Sequence, residues 1–292
     1  MTKEVLVPLS APSIFFPDGR LSSKLEAGRV MFWNPVGDSG GSRILQPALH
    51  KTSVAMAQAA GANSSGYQLI GTSTPIATGT ATGVYPTATA ALRNYLNVSR
   101  RVKYVSSAAA GSVCGARLSG NVMTLGNNDG LGGLFFMVEF GCEDAATISD
   151  ARQFVGISSN SSVPTNVEPS TLTGSFGVGH GAADTNLKIF YGGAVPQTPI
   201  DLGANFPANT LGVDLYRLTL YSPTDEVRRI YWKVERIGTP YVAEGHVDGV
   251  GSNINLWNHN NFICPFWSYR SNNTTTLAAT LSICKIYFEM NA

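Results

Sequence analysis

The feature that most constrains the fold is a series of short apolar segments that begins near residue 101. Each segment is rich in Val, Ile, Phe and Tyr, and Gly, Asn, Asp or Pro separates it from the next. Such punctuation is typical of β-strands joined by tight turns. The candidate strands are RVKYVSS, GNVMTL, GGLFFMVEF, RQFVGIS, GSFGVGH, LKIFYGG, DLYRLTLYS, RRIYWKVERI and LSICKIYFEM.

Alternation with a period of two is clearest in the last third of the sequence, where each strand has two distinct faces. In the first such run, Tyr216, Leu218 and Leu220 alternate with Arg217, Thr219 and Tyr221. In the second, Ile230, Trp232 and Val234 alternate with Tyr231, Lys233 and Glu235. The SPTDEV segment between them has the composition of a turn, so the two runs predict an antiparallel hairpin. LSICKIYFEM is partly apolar on both faces, which predicts a strand inside a two-sheet stack.

These strands follow one another without intervening long helices, which favours an all-β fold: an antiparallel two-sheet sandwich over residues 101–292. A parallel α/β sheet needs crossover helices of about a dozen residues, and the sequence after residue 101 has none. A trimeric β-helix spike is the rival architecture. It predicts a fixed sequence repeat, which this half of the chain lacks.

The first hundred residues have a different texture and predict a mostly irregular N-terminal region for attachment and oligomerisation. HKTSVAMAQAAGA, residues 50–62, and TATAALRNYLNV, residues 87–98, are short-helix candidates. Residues 71–90 form a Thr/Ala/Gly/Pro run with almost no charge, which cannot form a core by itself. This run is either a flexible linker or an extended strand packed against sister chains. We therefore expect a cyclic assembly, a homotrimer, organised by residues 1–100.

The charge and hydropathy of the sequence limit the kinds of partner that the chain is expected to bind. Charged residues make up 13% of the chain, against about 25% in ordinary globular proteins, and the net charge is +1. Nucleic-acid binding needs a dense positive surface, so no nucleic-acid partner is predicted. The longest apolar stretch, LGGLFFMVEFG, is about half a membrane span, so no membrane insertion is predicted. A polar, weakly charged surface without a signal peptide fits a virion protein released by host lysis.

The four cysteines do not have zinc-ligand spacing. Cys114, Cys142, Cys264 and Cys284 include no CxxC pair, so neither a metal site nor a cofactor is predicted. Buried free thiols are the favoured interpretation. The alternative is that disulfides form after release into an oxidising medium.

Catalytic motifs do not stand out, and the chain is predicted not to be an enzyme. GNNDGLGG, residues 126–133, has one acidic residue and fits a hairpin turn better than a calcium loop. GVGHGAADTN, residues 177–186, is predicted to be a loop that contains His180, Asp184 and Asn186. These groups either bind a sugar or a metal, or satisfy turn amides.

The segment VGSNINLWNHNNFICPFWSYRSNN, residues 250–273, interleaves aromatic rings with Asn and Ser. Such surfaces stack on the apolar face of a pyranose, although the same rings equally suit a sandwich core or a subunit interface. The predicted glycan-binding residues are Trp257, His259 and Trp267, with Asp184 and Asn186 as a second choice.

Several stretches resemble a module of tailed-phage tail-fibre and minor tail proteins. They are LRNYLNVSRRVKYVSSAAAGSVCGAR, GGLFFMVEFG, FVGISSNSSVPTNVEPSTLTGSFGVGHGAADTNLKIFYGG and TPIDLGANFPANTLGVDLYRLTLYSP, within residues 90–292. The resemblance implies a concanavalin-A-like jelly roll on a virion and carries over no catalytic residues. The Trp- and Phe-rich segment at 257–267 departs from the Leu- and Pro-rich version of the module.

These observations predict a bacteriophage fibre or spike, located in the virion, that contacts host surface glycan and binds other virion proteins through its N-terminal region. Two alternatives remain open: a purely structural head or collar decoration protein, and a glycan-cleaving tailspike.

Overall fold

A computed structural model of the chain describes residues 28–33, 54–57, 67–70, 75–84, 96, 101–118, 121, 125, 134–222, 228–257, 261 and 263–291. Seventeen strands lie in these ranges, together with one 3-10 turn, Pro169–Thr171. The strands are β1 Gly28–Trp33, β2 Val54–Ala57, β3 Tyr67–Ile70, β4 Ile76–Thr78, β5 Thr80–Val84, β6 Arg101–Val105, β7 Val113–Arg117, β8 Leu134–Cys142, β9 Arg152–Ser158, β10 Ser175–His180, β11 Lys188–Gly192, β12 Ile200–Asp201, β13 Tyr216–Ser222, β14 Arg229–Arg236, β15 Val242–Asp248, β16 Cys264–Ser271 and β17 Thr280–Asn291.

The first sheet has eight strands, in the order β15-β14-β13-β8-β17-β6-β5, with β1 also paired to β17. β8 pairs along nearly the whole of β17 on one side. On the other side, β6 pairs with residues 280–283 and β1 with residues 286–291. β17 therefore lies at the centre of this sheet. Both of its faces are covered: Ile283 packs in the core between the sheets, and Cys284 packs in a separate cluster with Leu96 and Leu215.

The second sheet has seven strands, in the order β12-β11-β10-β9-β16-β7-β4, and β2 and β3 form a separate pair. Every described pairing is antiparallel, from the β13–β14 hairpin to the β9–β16 pair. The predicted antiparallel two-sheet jelly-roll sandwich is confirmed.

One continuous apolar core fills the space between the two sheets. Leu218, Leu220 and Trp232 contribute to it from the eight-stranded sheet, and Val155 and Phe176 from the seven-stranded sheet. The predicted alternation is correct here, because residues 216, 218 and 220 and residues 230, 232 and 234 are all buried in this core. Among the described residues there is no helix long and apolar enough to cross a bilayer.

A second apolar cluster covers the outer face of the seven-stranded sheet. Phe154, Trp267 and Tyr269 pack under the β9–β10 loop, whose backbone accepts hydrogen bonds from Trp267 Nε1 and the Tyr269 hydroxyl. Glycines make room for these rings. A Cβ on Gly177 would lie 2.4 Å from the Val155 carbonyl oxygen and 2.7 Å from Cζ of Phe154.

A buried polar cluster links the sheets at one end of the sandwich. Nε of Arg270, on β16, donates to Asp144 at 3.0 Å, and its terminal nitrogens donate to Gln153 at 3.1 Å and Asn209 at 2.7 Å. His180 Nε2 lies 2.8 Å from Arg270 Nη1 and accepts a hydrogen bond from it. His180 is therefore neutral, with its proton on Nδ1 facing the Gly181 carbonyl. The guanidinium is fully hydrogen-bonded although no part of it reaches solvent.

Some expectations about the N-terminal region are corrected. Val54–Ala57 is a strand and not part of a helix over 50–62, because pairing with β3 overrides the helix propensity of Ala and Met. The helix over 87–98 lies outside the described residues, except for Leu96. Within the run 71–90, β4 and β5 pair with β7 and β6 of their own chain. Strands from before residue 101 thus contribute to both sheets of the sandwich.

Candidate functional site

The outer face of the eight-stranded sheet carries a row of aromatic rings near its β15 edge. Tyr221 on β13 is the cross-strand partner of Tyr231 on β14, which is the partner of His246 on β15. The two tyrosine rings stack with centroids 6.2 Å apart and an interplanar angle of 26°. The Tyr231 and His246 rings lie 5.7 Å apart at 50°. We call these three residues the aromatic rung.

The local sequence explains why these rings point outward. Alternation places Leu220 and Trp232 in the core, so their neighbours Tyr221 and Tyr231 must face away from it. Trp232 pairs with Gly245 on β15, and a Cβ there would lie 2.7 Å from the indole ring. Glycine at this position therefore lets the large ring lie beneath β15.

A charged pair flanks the rung. Arg229 forms two hydrogen bonds with the carboxylate of Asp248, which is its cross-strand partner. Arg229 also donates to the Tyr231 hydroxyl at 3.2 Å, and its guanidinium carbon lies 5.7 Å from the centre of the Tyr231 ring, a cation–π distance. The hydrogen bond from Arg229 lowers the pKa of Asp248, against a smaller opposing effect of desolvation. The arrangement fixes the position of the Tyr231 ring.

Exposure along this row increases towards the edge of the sheet. Phe135 on β8, the next residue in register after Tyr221, is only 3% exposed. Tyr221 and Tyr231 are partly buried, and the side chains of His246 and Asp248 are 50% exposed. Aromatic rings beside hydrogen-bonding groups suit a ligand with an apolar face and hydroxyl groups.

The aromatic residues that the sequence predicted as sugar platforms are buried. Trp257 is 1% exposed and lies in the core between the sheets. Trp267 is 3% exposed and lies beneath the β9–β10 loop. Neither ring has a face that a sugar can reach, so the structure contradicts the predicted stacking role. His259 lies outside the described residues.

The two polar residues of the second choice lie on the loop between β10 and β11. Asp184 accepts a hydrogen bond from the Gly181 amide at 2.8 Å and pairs with Lys188 at 2.6 Å. Asn186 donates to Asp201 at 3.5 Å. These contacts satisfy hydrogen-bonding and charged groups of the same loop and its neighbours. None of them joins Asp184 or Asn186 to the buried Trp257 or Trp267. His180, expected on this loop, is the last residue of β10 and is fully buried.

Two chemical properties of the described part of the chain bear on its function. Within it, no group of three or more His, Cys, Asp or Glu is arranged to hold a metal ion. All four cysteines are buried free thiols, as the sequence predicted.

The sequence matches no protein-family model and no curated protein. The fold is similar to lectin II from Ulex europaeus, with a TM-score of 0.47 and 9% identity over 75% of this chain and 93% of that one. It is also similar to a conserved carbohydrate esterase from the Shiga toxin-encoding bacteriophage phi24B, with a TM-score of 0.41 and 14% identity over 75% and 90%. A protein of unknown function from Shewanella oneidensis MR-1 is similar as well, with a TM-score of 0.41 and 14% identity over 75% of this chain and 78% of that one. Likenesses of this degree do not place the chain in a family.

Proposed function

We propose that this chain is a structural protein of a bacteriophage virion, a fibre or spike, whose sandwich binds host surface glycan at the aromatic rung. The observation that carries the proposal is the in-register row of Tyr221, Tyr231 and His246 on the outer face of a sheet. Such rings would ordinarily contribute to a core, yet this row becomes more exposed towards the β15 edge.

The chemistry of the rung supports a saccharide ligand. The apolar face of a pyranose packs on aromatic rings, and its hydroxyls both donate and accept hydrogen bonds. Tyr hydroxyls, the His246 imidazole and the Asp248 carboxylate supply matching groups along the same row. The role proposed for these residues is binding and not catalysis.

The virion location is supported by the resemblance of residues 90–292 to the tail-fibre module and by the low content of charged residues, 13%. In this proposal the chain forms a homotrimer, and its N-terminal region contacts other virion proteins. Low surface charge suits long-lived contacts between subunits, because burying unpaired charge at an interface is costly.

The test uses the purified full-length protein and host cells. Labelled protein is expected to bind cells and to compete with phage adsorption, and Tyr231→Ala is expected to lose at least about five-fold in affinity. Tyr241→Ala is the matched control, since Tyr241 is an exposed tyrosine that directly precedes β15, five residues before His246. Circular dichroism of both variants checks that the fold is intact.

The two alternatives give different outcomes. A structural decoration protein would be found in purified particles yet show no binding to cells or glycans. A glycan-cleaving tailspike would release reducing ends from host polysaccharide. Absence of the chain from purified particles would refute the virion proposal.

A further inference from the structure

We infer that the ligand of the aromatic rung is an uncharged glycan chain of at least two sugar units, bound by stacking and hydroxyl contacts and not by its charge. This inference rests on the proposed function and specifies the ligand of the same site.

The first observation is that the cations around the rung already have carboxylate partners. Every Lys or Arg that the structure describes on this face between β17 and β15 lies in a salt bridge. The pairs are Arg229–Asp248, Arg217–Glu139, Arg217–Glu235, Lys233–Glu235 and Lys285–Glu139. A uronic acid, sialic acid or phosphorylated sugar would meet cations whose charge the protein's own carboxylates already balance. Acidic sugars therefore gain little attraction here.

The second observation concerns the cation closest to the rings. Two hydrogen bonds from Arg229 hold Asp248, and half of the Asp248 side chain remains exposed. Glu244, on the same face of β15, is exposed as well. An anionic ligand at His246 would meet both carboxylates. Neutral hydroxyls, in contrast, can donate to Asp248 and accept from Arg229 at the same time.

The third observation concerns length. The rung extends over three adjacent strands, so its outermost rings lie about 10 Å apart across the sheet. The ring centroids are separated by 6.2 Å and 5.7 Å in two steps. One pyranose cannot cover such a row, whereas two linked pyranoses can contact all three rings.

The experiment measures binding of the full-length protein to an array of neutral and acidic bacterial glycans, followed by titration of the best ligands. Neutral polysaccharides such as dextran and mannan are compared with alginate and polysialic acid. Titrations are carried out at 50 and 500 mM NaCl. The expected ligand is neutral and longer than a monosaccharide, and its affinity changes less than about two-fold between the two salt concentrations, because charge screening does not affect an uncharged ligand.

Two rung variants, Tyr231→Ala and His246→Ala, are expected to weaken neutral-glycan binding at least about five-fold. His246 lies half exposed on an edge strand, so its removal tests the site with little risk to folding. Tyr241→Ala is expected to bind like the wild type.

The possible failures are distinct. Selective binding to acidic glycans that weakens about ten-fold or more at high salt would overturn the uncharged-ligand inference and leave glycan recognition standing. Glycan binding that survives both rung variants would place the site elsewhere and overturn the inference. No glycan binding at all would refute the proposed function together with this inference.

Discussion

Arg270 and Asp144 form an ion pair that is sealed from solvent and joins the two sheets, since their side chains are 0% and 1% exposed. Arg270 belongs to the seven-stranded sheet, and Asp144 follows β8 of the eight-stranded sheet. The second carboxylate oxygen of Asp144 accepts a hydrogen bond from the Thr280 amide at 2.7 Å. One acidic residue thus connects β16, β17 and the end of β8.

Removing either member of this pair should be strongly destabilising. Arg270→Met leaves a buried carboxylate, and Asp144→Asn leaves a buried guanidinium; each should lower the free energy of unfolding by about 3–5 kcal/mol. The double variant removes both charges and keeps an oxygen for Thr280, so it should cost clearly less than the sum of the two. Urea unfolding of the four proteins measures this coupling. Strictly additive costs would contradict the proposed pairing.

His180 should make the fold sensitive to acid. Burial, with the nearby charge of Arg270, lowers the pKa of His180 from 6.5 to about 3. Between these two values the unfolded chain binds a proton that the folded chain does not, so stability falls as the pH drops below 6.5. The loss attributable to His180 at pH 5 is roughly 2 kcal/mol.

The comparison that checks this uses His180→Gln, which can still accept a hydrogen bond from Arg270 and does not titrate. Unfolding free energies of both proteins are measured from pH 7.5 to pH 5. The variant is expected to lose less stability than the wild type over this range. Equal slopes would show that the pKa of His180 is the same in the folded and the unfolded chain and would contradict the lowered value.

The thiols should be unreactive while the protein is folded. All four cysteines are buried, and desolvation raises the pKa of Cys114 to about 12, with Asp144 adding to the effect and Arg270 opposing it. Since the thiolate is the reactive species, Ellman's reagent at pH 8 should detect almost no free thiol without denaturant and four thiols in urea. Rapid reaction of a thiol in the folded protein would contradict the burial.

Gly177 should not tolerate a side chain. In Gly177→Ala the new Cβ would lie 2.4 Å from a backbone oxygen and 2.7 Å from the Phe154 ring, so β9 or the aromatic cluster must shift. We expect a loss of about 2 kcal/mol or more. Gly203→Asn is a suitable control: a Cβ there meets nothing within 4 Å, and Asn tolerates positive φ. If Gly177→Ala had the same thermal midpoint as the wild type, the sheet would be able to adjust to the added methyl group.

The parts of the fold that were predictable from sequence are those whose signal is local. β13 and β14 follow each other in the sequence and alternate regularly, so their antiparallel pairing and their inward faces were predicted correctly. β7, β15 and β16 were missed. Gly115 and Gly245 interrupt the pattern of the first two, and β16 contains Pro265 and a register shift between Cys264 and Trp267.

The candidate site, too, was predictable only where its sequence signal is local. Alternation alone placed Tyr221 and Tyr231 on the outward face, but their row could not be completed because His246 lies on β15, an unpredicted edge strand. Conversely, aromatic composition drew attention to Trp257 and Trp267. Composition does not distinguish a ring that packs in a core from one that faces solvent, and only the tertiary contacts of these rings settle their burial.

The position of β17 has a consequence for biosynthesis. Ribosomes deliver residues 280–291 after every other described strand, yet this segment occupies the middle of its sheet, between β8 on one side and β6 and β1 on the other. Until it emerges, β8 and β6 present open edges that can pair with neighbouring nascent chains. Production of intact protein should therefore depend on chaperone capacity and on slow synthesis at low temperature.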